Sequence, residues 1–316
     1  MLELNKIYNQ DCLEGMKLID DKSINLIIAD PPYNIGKDSR WDKWKKQSDY
    51  IDFMGEIFTQ CQRVLKDNGS FYFFHNDFLQ IVDLQNWLNN NSRFVFNSFI
   101  TWDKGDFRAL SWKNPSENNN LRSWFNTCEY SLYYTFQDNT GLEYIDREYI
   151  APRNPFKKEL IKAREEKGLT ITQVAELGKF YKNINHGGAV TNWEKGYNVP
   201  LKVQWNLLKT FLPLRREYED LRYVHNLDIN HNNVWKNTTR NNGKIHPTQK
   251  PIEIIERMIK TSSNENMIIL DPFMGSATTA IACINTNRNY IGFELDKTYF
   301  DLANLRIEKN KENLGK

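Results

Sequence analysis

The residues best suited to chemistry in this sequence form the run Asp30-Pro31-Pro32-Tyr33. The run follows the apolar stretch Asn-Leu-Ile-Ile-Ala, which predicts a buried strand, and its two prolines fix two φ angles and remove two N–H donors. We therefore expect a rigid turn at the carboxyl end of a strand, where open α/β sheets bind ligands. The turn suits an exocyclic amine held by Asp30 and the Pro31 carbonyl, with the ring of the amine stacked on Tyr33. A rigid loop with a capping aspartate is the alternative interpretation.

A second candidate site is the segment from Leu270 to Thr279, which reads Leu-Asp-Pro-Phe-Met-Gly-Ser-Ala-Thr-Thr. It leaves a predicted buried strand through a turn of small residues and enters a helix. Small residues let a ligand approach the backbone, and a helix N-terminus favours an anionic group. About 20 residues further on, the predicted strand Asn-Tyr-Ile-Gly-Phe is followed by Glu294, a position from which an acid can bind both hydroxyls of a ribose. The pattern indicates a cofactor that carries a nucleoside, or otherwise an ordinary strand–helix junction.

Taken together, these segments resemble the motifs of the amino-group DNA methyltransferases that use S-adenosylmethionine. Residues 30–33 are similar to the catalytic motif of that family, and residues 271–279 to its cofactor loop, usually written DPFxGSGTT. Residues 246–251, His-Pro-Thr-Gln-Lys-Pro, and residues 9–12, Asn-Gln-Asp-Cys, are similar to two further family segments. With the catalytic motif first and the cofactor loop last, the order of motifs is that of the beta group. One departure is Ala277, which stands where the family usually has glycine; alanine is harmless there in a helix and unfavourable at positive φ.

The resemblance gives each candidate residue a role. The catalytic residues are Asp30, Pro31, Pro32 and Tyr33. The cofactor-binding residues are Asp11, Cys12, Asp30, His246, Thr248, Lys250, Asp271, Phe273, Gly275, Ser276, Ala277, Thr278 and Glu294. No metal ion is expected, because the histidine of the motif has no partner at the spacing of metal ligands.

The implied activity is transfer of a methyl group from S-adenosylmethionine to an exocyclic amine of a base in duplex DNA. Such an amine is a poor nucleophile because its lone pair is delocalised into the ring. Two acceptors, Asp30 and the Pro31 carbonyl, would draw the nitrogen toward tetrahedral geometry, and Tyr33 would stack on the base once it is flipped out of the duplex. In this family, aspartate at the first motif position favours adenine N6. Methylation of cytosine N4, and a DNA-binding regulator built on a methylase fold, are the competing interpretations.

The middle of the chain, from about Ala151 to Leu227, lacks strong strand signals and is basic. Residues 151–222 contain 14 Lys and Arg against 8 Asp and Glu, a net charge of +6, which favours contact with a polyanion. Residues 160–175 and 190–196 resemble the helix-turn-helix of the phage Cro and repressor class, whose third helix would place Thr191 and Asn192 against bases in the major groove. An insert that only braces the catalytic domain is the alternative. Candidates for DNA contact outside this region are Arg108, Arg122, Lys236 and Arg240.

The elements around these motifs predict an α/β fold. Residues 6–9, 25–30, 69–74, 96–102, 129–136, 267–270 and 289–293 have the pattern of strands, and residues 51–65, 252–260, 276–284 and 299–311 that of helices. Their alternation predicts a mostly parallel sheet with helices on both faces, the Rossmann-like fold of S-adenosylmethionine methyltransferases, with a mainly helical insertion. We expect a catalytic half at residues 1–150, the insertion at 151–234 and a cofactor-binding half at 235–316.

The composition is that of a globular protein. Of the 316 residues, 40% are apolar and 26% charged, which excludes a disordered chain and a fibre. No apolar run approaches the ~20 residues of a membrane span and no signal peptide is found, so we expect a cytoplasmic protein of bacterial or phage origin without a membrane partner. The four cysteines form no Cys-x-x-Cys pair, which favours reduced thiols. Double-stranded DNA is the expected partner, and a cognate restriction endonuclease and a second copy of the chain are further candidates.

Overall fold

The chain forms two compact units in a computed structural model that describes residues 2–36, 42–105, 127–136, 156–180, 188–221, 232–236 and 249–315. An α/β unit comprises residues 1–135 and 224–316, and a helical unit comprises residues 136–223. The helical unit therefore lies in the sequence between the two stretches of the α/β unit. Its bounds fall earlier in the chain than the 151–234 expected for the insertion.

One eight-stranded sheet organises the α/β unit. Its strands are β1 (Lys6–Tyr8), β2 (Ile24–Ala29), β3 (Leu65–His75), β4 (Phe94–Asp103), β5 (Cys128–Phe136), β6 (Val234–Lys236), β7 (Ile268–Asp271) and β8 (Asn289–Phe293). They lie in the order β1-β8-β7-β2-β3-β5-β4-β6. The pairings from β1 through β8, β7 and β2 to β3 are parallel, and β3 pairs with β5 antiparallel. The predicted mostly parallel sheet is confirmed.

Eleven helices are found within the described residues. They are α1 (Cys12–Met16), α2 (Gln47–Val64), α3 (Phe78–Asn91), α4 (Phe156–Glu166), α5 (Ile171–Gly178), α6 (Gly188–Lys195), α7 (Lys202–Lys209), α8 (Tyr218–Leu221), α9 (Ile252–Ser262), α10 (Thr278–Asn285) and α11 (Lys297–Leu314). Helices α4 to α8 belong to the helical unit, and the others to the α/β unit. None of these helices is long and apolar enough to cross a membrane.

The predicted elements agree with the structure where the apolar pattern is regular. Helix α2 buries Met54, Ile57 and Phe58 at helical spacing, as expected from residues 51–65. It ends one residue before that prediction, because Leu65 has extended backbone angles and begins β3 without a turn. Helix α3 was not predicted, although Asp77 caps its first turn by accepting a hydrogen bond from the Gln80 main chain. Large apolar side chains on its exposed face hide the helical pattern of its buried face.

The helical unit has a hydrophobic core of its own. Phe156, Val190, Trp193 and Trp205 are among the buried residues of one cluster drawn from α4 to α8. Arg164 of α4 pairs with Glu194 of α6 through two hydrogen bonds, of 2.6 and 3.1 Å. Such a bidentate pair fixes the orientation of one helix on the other. Helix α5 begins with a capping box, in which Thr170 and Gln173 each accept a hydrogen bond from the main chain of the other.

Candidate active site

Four carboxylates lie at one edge of the sheet, each at or just past the carboxyl end of a strand. Asp11 follows β1, Asp30 follows β2, Asp271 ends β7 and Glu294 follows β8. These strands are parallel neighbours in the order β1-β8-β7-β2, so their carboxyl ends meet. All four residues line one cavity of about 400 Å³. The cavity joins the run at residues 30–33 to the loop at residues 271–279, the two segments to which the sequence drew attention.

The carboxylate of Asp30 is held through one of its two oxygens. The Tyr33 hydroxyl donates to Oδ1 at 2.7 Å, and the Lys250 ammonium donates to the same atom at 2.6 Å. Within the described residues, no side chain donates a hydrogen bond to Oδ2 of Asp30. The side chain of Asp30 is 21% exposed, whereas that of Lys250 is 4% exposed. One oxygen is thus occupied by protein donors, and the other is available to a ligand in the cavity.

Lys250, a predicted cofactor contact, lies between two carboxylates. Its Nζ is 2.6 Å from Asp30 and 3.5 Å from Glu129, which in turn is 2.7 Å from the ammonium of Lys104. Burial lowers the pKa of Lys250, but the charges of Asp30 and Glu129 outweigh it and raise the pKa above its ordinary value. Glu129 was not among the predicted site residues. The available signal was the pair Glu129 and Tyr130 at the start of a strand, which sit where the resembled family has similar residues and for which base-pocket lining and simple packing were both open interpretations.

A second group of buried side chains holds the main chain of residues 30–33. The Tyr50 hydroxyl donates to the Pro32 carbonyl at 2.9 Å. Nδ1 of His75 accepts from the Asp77 main chain at 3.1 Å, so Nε2 carries the proton and donates to the Tyr50 hydroxyl at 3.0 Å. Burial lowers the pKa of His75 to about 4, so the ring is neutral at pH 7. This chain of hydrogen bonds, made by side chains of α2 and β3, fixes the carbonyl of Pro32.

The ring of Tyr33 is packed inside the protein. Tyr33 is only 5% exposed, its ring centroid lies 4.9 Å from that of His75, and its carbonyl accepts from the Gln80 amide at 3.1 Å. Its hydroxyl is engaged with Asp30. In this structure Tyr33 therefore orients the carboxylate of Asp30, and both the catalytic role of Asp30 and the stacking of Tyr33 on a target base stay predictions.

An aromatic wall forms another side of the cavity. We use this term for Trp44, Phe53 and Phe273, all of which contact the cavity. The ring centroids of Trp44 and Phe53 are 5.2 Å apart, and those of Phe53 and Phe273 are 6.4 Å apart. Only Phe273 was predicted from the sequence. Trp44 and Phe53 carry no motif, and their place at the cavity follows from the packing of α2 beside the carboxyl edge of the sheet.

The loop at residues 271–279 is organised by Asp271. Its Oδ1 accepts from the Phe273 main chain at 2.9 Å, and its Oδ2 accepts from the Thr279 hydroxyl at 2.5 Å. Burial raises the pKa of Asp271 to about 7, although both hydrogen bonds favour the charged form. Asp271 therefore closes the loop onto the first turn of α10, where Gly275 and Ser276 face the cavity.

The conformation of Ala277 settles the question raised by its departure from the family pattern. Ala277 is the N-cap residue of α10 and has φ 62° and ψ 28°, so it is left-handed and not helical. Its side chain is fully buried. An alanine in this region costs about 1–2 kcal/mol relative to a right-handed one. The alanine thus carries backbone strain at a position that a glycine would occupy freely.

Two further charged residues support the same loop. Glu294 accepts from the Gly275 main chain at 2.9 Å and from the Asp296 main chain at 2.8 Å, and burial raises its pKa. Arg306 of α11 donates to the Ser276 carbonyl at 2.6 Å. Burial lowers the pKa of Arg306. Nothing in the sequence distinguished Arg306 from the other basic residues of its helix, because the loop it supports is 30 residues away in the chain.

Asp11 and Cys12, which were predicted to bind the cofactor, lie between β1 and the start of α1, and their contact with the cofactor stays a prediction. Asp11 caps α1 by accepting hydrogen bonds from the main chains of Leu13 and Glu14, at 2.9 and 3.2 Å. Cys12 is 7% exposed, and burial raises its pKa to about 12. The thiol is therefore neutral and packs at the floor of the cavity, which both residues line.

The predicted DNA contacts fall into two groups. Thr191 and Asn192 lie on α6 of the helical unit, where Asn192 is exposed and Thr191 partly exposed, and Lys236 is exposed at the end of β6. The other predicted DNA contacts, Arg108, Arg122 and Arg240, lie outside the described residues, as do the predicted cofactor contacts His246 and Thr248.

The fold and the site define the chain as a Rossmann-like methyltransferase, and comparison with known proteins gives the family. Residues 24–305 match the DNA methylase family of N6 and N4 methyltransferases, to which this chain belongs. It is 28% identical to the type II methyltransferase M.HpaI of Haemophilus parainfluenzae, over 94% of this chain and 72% of that protein. It is 27% identical to the DNA adenine methyltransferase YhdJ of Escherichia coli, over 97% of this chain and 83% of that protein.

Solved structures share the same fold at low identity. The complex of M1.HpyAVI with S-adenosylmethionine has a TM-score of 0.53 and 20% identity, and covers 96% of this chain and 98% of its own. The PvuII DNA methyltransferase, which is cytosine-N4-specific, has a TM-score of 0.56 and 13% identity, and covers 97% of this chain and 90% of its own. The predicted fold class and the resemblance to amino-group DNA methyltransferases are confirmed. Neither comparison distinguishes adenine from cytosine as the target.

Proposed function

We propose that this DNA methyltransferase transfers a methyl group from S-adenosylmethionine to N6 of adenine in duplex DNA. The observation that carries the proposal is the carboxylate of Asp30, which keeps one oxygen available in the cavity that also holds the loop at residues 271–279. Aspartate at this motif position favours adenine within the family, and YhdJ is an adenine methyltransferase.

The residues of the cavity fit S-adenosylmethionine. Four carboxylates suit a ligand with a sulfonium and an ammonium group, and the aromatic wall suits a purine ring. Asp11 and Glu294 would hold the nucleoside at the ends of β1 and β8. Gly275 and Ser276 allow close approach to the backbone. When bound, S-adenosylmethionine supplies an electrophilic methyl group.

The chain contributes positioning and electrostatics to the reaction. Asp30 and the Pro31 carbonyl would accept hydrogen bonds from the two N–H groups of the target amine, which frees the nitrogen lone pair from the ring and places it for in-line displacement. The nitrogen–methyl bond would form as the sulfur–methyl bond breaks, the thioether product would leave, and the surplus proton of the amine would pass by way of Asp30 to water. No covalent bond to the enzyme forms, so neither a cysteine nor a serine nucleophile is needed. Because Tyr50, His75 and Gln80 fix the backbone of residues 30–33, these acceptors are preorganised before the base arrives.

Methylation of cytosine N4 is the second candidate function. The cytosine-N4-specific PvuII enzyme has the same fold, and the two acceptors that hold an adenine amine would serve a cytosine amine equally. The third interpretation, a regulator that only binds DNA, would not require the buried charge network around Asp30.

We propose that the helical unit reads the target sequence. Val190 and Trp193 of α6 point into its core, Arg164 and Glu194 lock α6 to α4, and Asn192 is exposed on the opposite face. That arrangement suits a helix that enters the major groove, where an asparagine pairs well with adenine. The loops that contain Arg108, Arg122 and Arg240 are the alternative reader.

The protein would act on DNA in the bacterial cytoplasm. A cognate restriction endonuclease and a second copy of the chain are the partners we propose to test, by co-purification and by sedimentation. Three of the matched proteins, M.HpaI, M1.MboII and M.BglII, are named as type II methyltransferases.

One experiment tests the activity, the product base and the target site together. The protein is expressed in a host free of DNA methylation, and modified bases are read across the genome by single-molecule sequencing. We expect N6-methyladenine within one short motif. N4-methylcytosine would select the second candidate function, and an unmodified genome would refute both.

The Asp30→Ala variant in the same host is the matched control. Loss of a preorganised group of this kind raises the barrier by about 2.7–4 kcal/mol, or roughly 10²–10³ in rate. We expect a folded protein that binds DNA and does not methylate it. Retention of more than about a tenth of the single-turnover rate, which corresponds to less than ~1.4 kcal/mol, would remove Asp30 from the mechanism.

A further inference from the structure

Lys250 touches both halves of the active site. Its ammonium donates to Asp30 at 2.6 Å and to the Tyr33 hydroxyl at 3.1 Å, and its main-chain carbonyl accepts from the Thr278 hydroxyl at 3.4 Å. Thr278 is the first residue of α10, directly after the loop at residues 271–277. A single residue thus contacts the catalytic motif with its side chain and the cofactor loop with its backbone.

The charge around Lys250 is balanced and buried. Lys250 and Glu129 have side chains 4% and 5% exposed, and that of Lys104 is 13% exposed. The two ammonium groups face the carboxylates of Asp30 and Glu129, so the four charges sum to zero. The ammonium of Lys250 also lies 4.9 Å from the centre of the Phe74 ring. A cation held by this many partners has little freedom to move.

We propose that Lys250 is a positioning residue for methyl transfer and not a cofactor ligand. It occupies Oδ1 of Asp30 together with Tyr33 and so presents Oδ2 to the target amine. Glu129 offsets the charge of Lys250, so that Asp30 keeps its own charge for the ammonium that develops as the methyl group moves. This inference rests on the proposed methyltransferase function and adds a positioning residue to it.

The test removes the side chain while keeping charge balance. A single Lys250→Met change leaves the buried Glu129 and the partly exposed Asp30 without their shared cation and is expected to destabilise the fold. The double variant Lys250→Met/Glu129→Gln removes one charge of each sign, and Asp30 with Lys104 still sum to zero. The main-chain carbonyl that binds Thr278 is unchanged. The exposed pair Lys6 and Glu3, changed to Met and Gln, is the matched control.

Three quantities are measured for each protein: the melting temperature, the dissociation constant of S-adenosylmethionine by calorimetry, and the single-turnover rate on a DNA duplex that contains the motif. For the double variant we expect a folded protein, a dissociation constant within threefold of wild type, and a rate at least tenfold lower. If Lys250 had only a structural role, the double variant would have a lower melting temperature, and its rate would not fall while its cofactor affinity stayed the same.

Each other outcome overturns the inference. A rate within threefold of wild type shows that Asp30 does not need Lys250. A dissociation constant raised tenfold or more, with the rate at saturating cofactor unchanged, makes Lys250 a cofactor ligand. If the double variant does not fold, Lys250→Gln/Glu129→Gln, which also removes the cation, is measured in its place. A rate at least tenfold lower with cofactor affinity within threefold of wild type again supports positioning, and a rate within threefold of wild type refutes it. An inactive wild-type protein refutes the proposed function itself, which distinguishes that failure from the others.

Discussion

At the scale of single residues, the carboxylates of the cavity have different tasks despite their common position. Asp11 caps a helix, Asp271 closes a loop, and Asp30 keeps one oxygen for a ligand. Glu294 combines two tasks, because it holds the main chains of Gly275 and Asp296 and still lines the cavity. A carboxylate oxygen can accept more than one hydrogen bond, so these contacts leave room for ribose hydroxyls.

We expect Glu294→Ala to weaken cofactor binding more than DNA binding. The variant loses charge-assisted hydrogen bonds, each of which contributes about 1.5–3 kcal/mol, and it frees the loop at Gly275. Calorimetry should show at least a tenfold increase in the dissociation constant of S-adenosylmethionine, with little change in DNA affinity. Glu308→Ala, an exposed site on α11, is the control. Unchanged cofactor affinity would show that Glu294 serves the fold alone.

At the scale of elements, the contacts around the start of α10 explain how alanine can stand at a left-handed position where the family usually has glycine. Ala277 has φ 62°, and its main-chain N–H donates to the Met274 carbonyl at 2.9 Å. The loop keeps its conformation because Asp271, Glu294 and Arg306 hold it on three sides. The strain of the alanine is therefore borne by the surrounding contacts.

We expect Ala277→Gly to leave the free energy of unfolding within about 1 kcal/mol of wild type. Relief of about 1–2 kcal/mol of strain is offset by the greater chain entropy of glycine and by removal of a buried methyl group. Cofactor affinity should be unchanged or higher. Ala277→Val places a β-branched side chain at positive φ and should destabilise the protein by about 1–3 kcal/mol. Thermal and chemical denaturation measure the stability of the two variants, and calorimetry measures their cofactor affinity. A loss of affinity in the glycine variant would mean that the methyl group of Ala277 itself contacts the cofactor.

His75, the last residue of β3, is expected to make the free energy of unfolding depend on pH. Burial lowers the pKa of His75 to about 4, below the value of about 6.5 of an unfolded histidine. Between these two values the unfolded chain binds a proton that the native histidine does not, so stability falls as the pH falls. The expected slope is up to about 1.4 kcal/mol per pH unit.

Urea denaturation of wild type and of His75→Gln between pH 4 and pH 7 measures this contribution. We expect the difference in unfolding free energy between the two proteins to change across this range and to level off above it. The comparison separates His75 from Asp271, whose raised pKa of about 7 gives a slope of opposite sign. Parallel curves for the two proteins would show that the His75 ring titrates normally.

At the scale of the whole molecule, the sequence of a helical unit with its own core is inserted between the two stretches of sequence that form the α/β unit. Phe156 and Trp205 are buried in this core. The sheet of the α/β unit includes β6 to β8, which follow the helical unit in sequence. Each unit therefore buries its apolar residues independently, which is the condition for separate function.

We expect a protein in which residues 137–222 are replaced by a Gly/Ser linker to bind S-adenosylmethionine normally and to lose sequence-selective methylation. The salt dependence of DNA affinity should also flatten, by ~0.9 in log–log slope for each DNA phosphate that the shortened protein no longer neutralises. Methylation of the same motif by this protein would assign target choice to the loops that contain Arg108 and Arg240.

Within the helical unit, Asn192→Ala should relax selectivity at one base position of the motif, at a cost of about 1–3 kcal/mol. The side chain is exposed on α6, so the substitution leaves the core intact. Sequencing of the methylated motif in the variant measures the effect. Lys162→Ala on α4 is the control for loss of charge alone, and it should weaken binding equally for all sequences.

The sequence by itself determined those features of the fold and the site that depend only on residues close together in the chain. The strand before Asp30, the small residues before α10 and the spacing to Glu294 are local patterns, and the order of the motifs followed directly from them. The sequence did not predict the boundary between α2 and β3 or the existence of α3. These features depend on which side chains the rest of the fold buries.

Only the tertiary structure decided which groups meet. Lys250 contacts Asp30 across 220 residues of sequence, and Glu129 joins them from a strand for which the sequence indicated no definite role. Likewise, the left-handed angle of Ala277 and the neutral ring of His75 are set by contacts from other elements. Such contacts are invisible in a single sequence, since a buried charge or a strained angle is defined by what surrounds it in space and not by its neighbours in the chain.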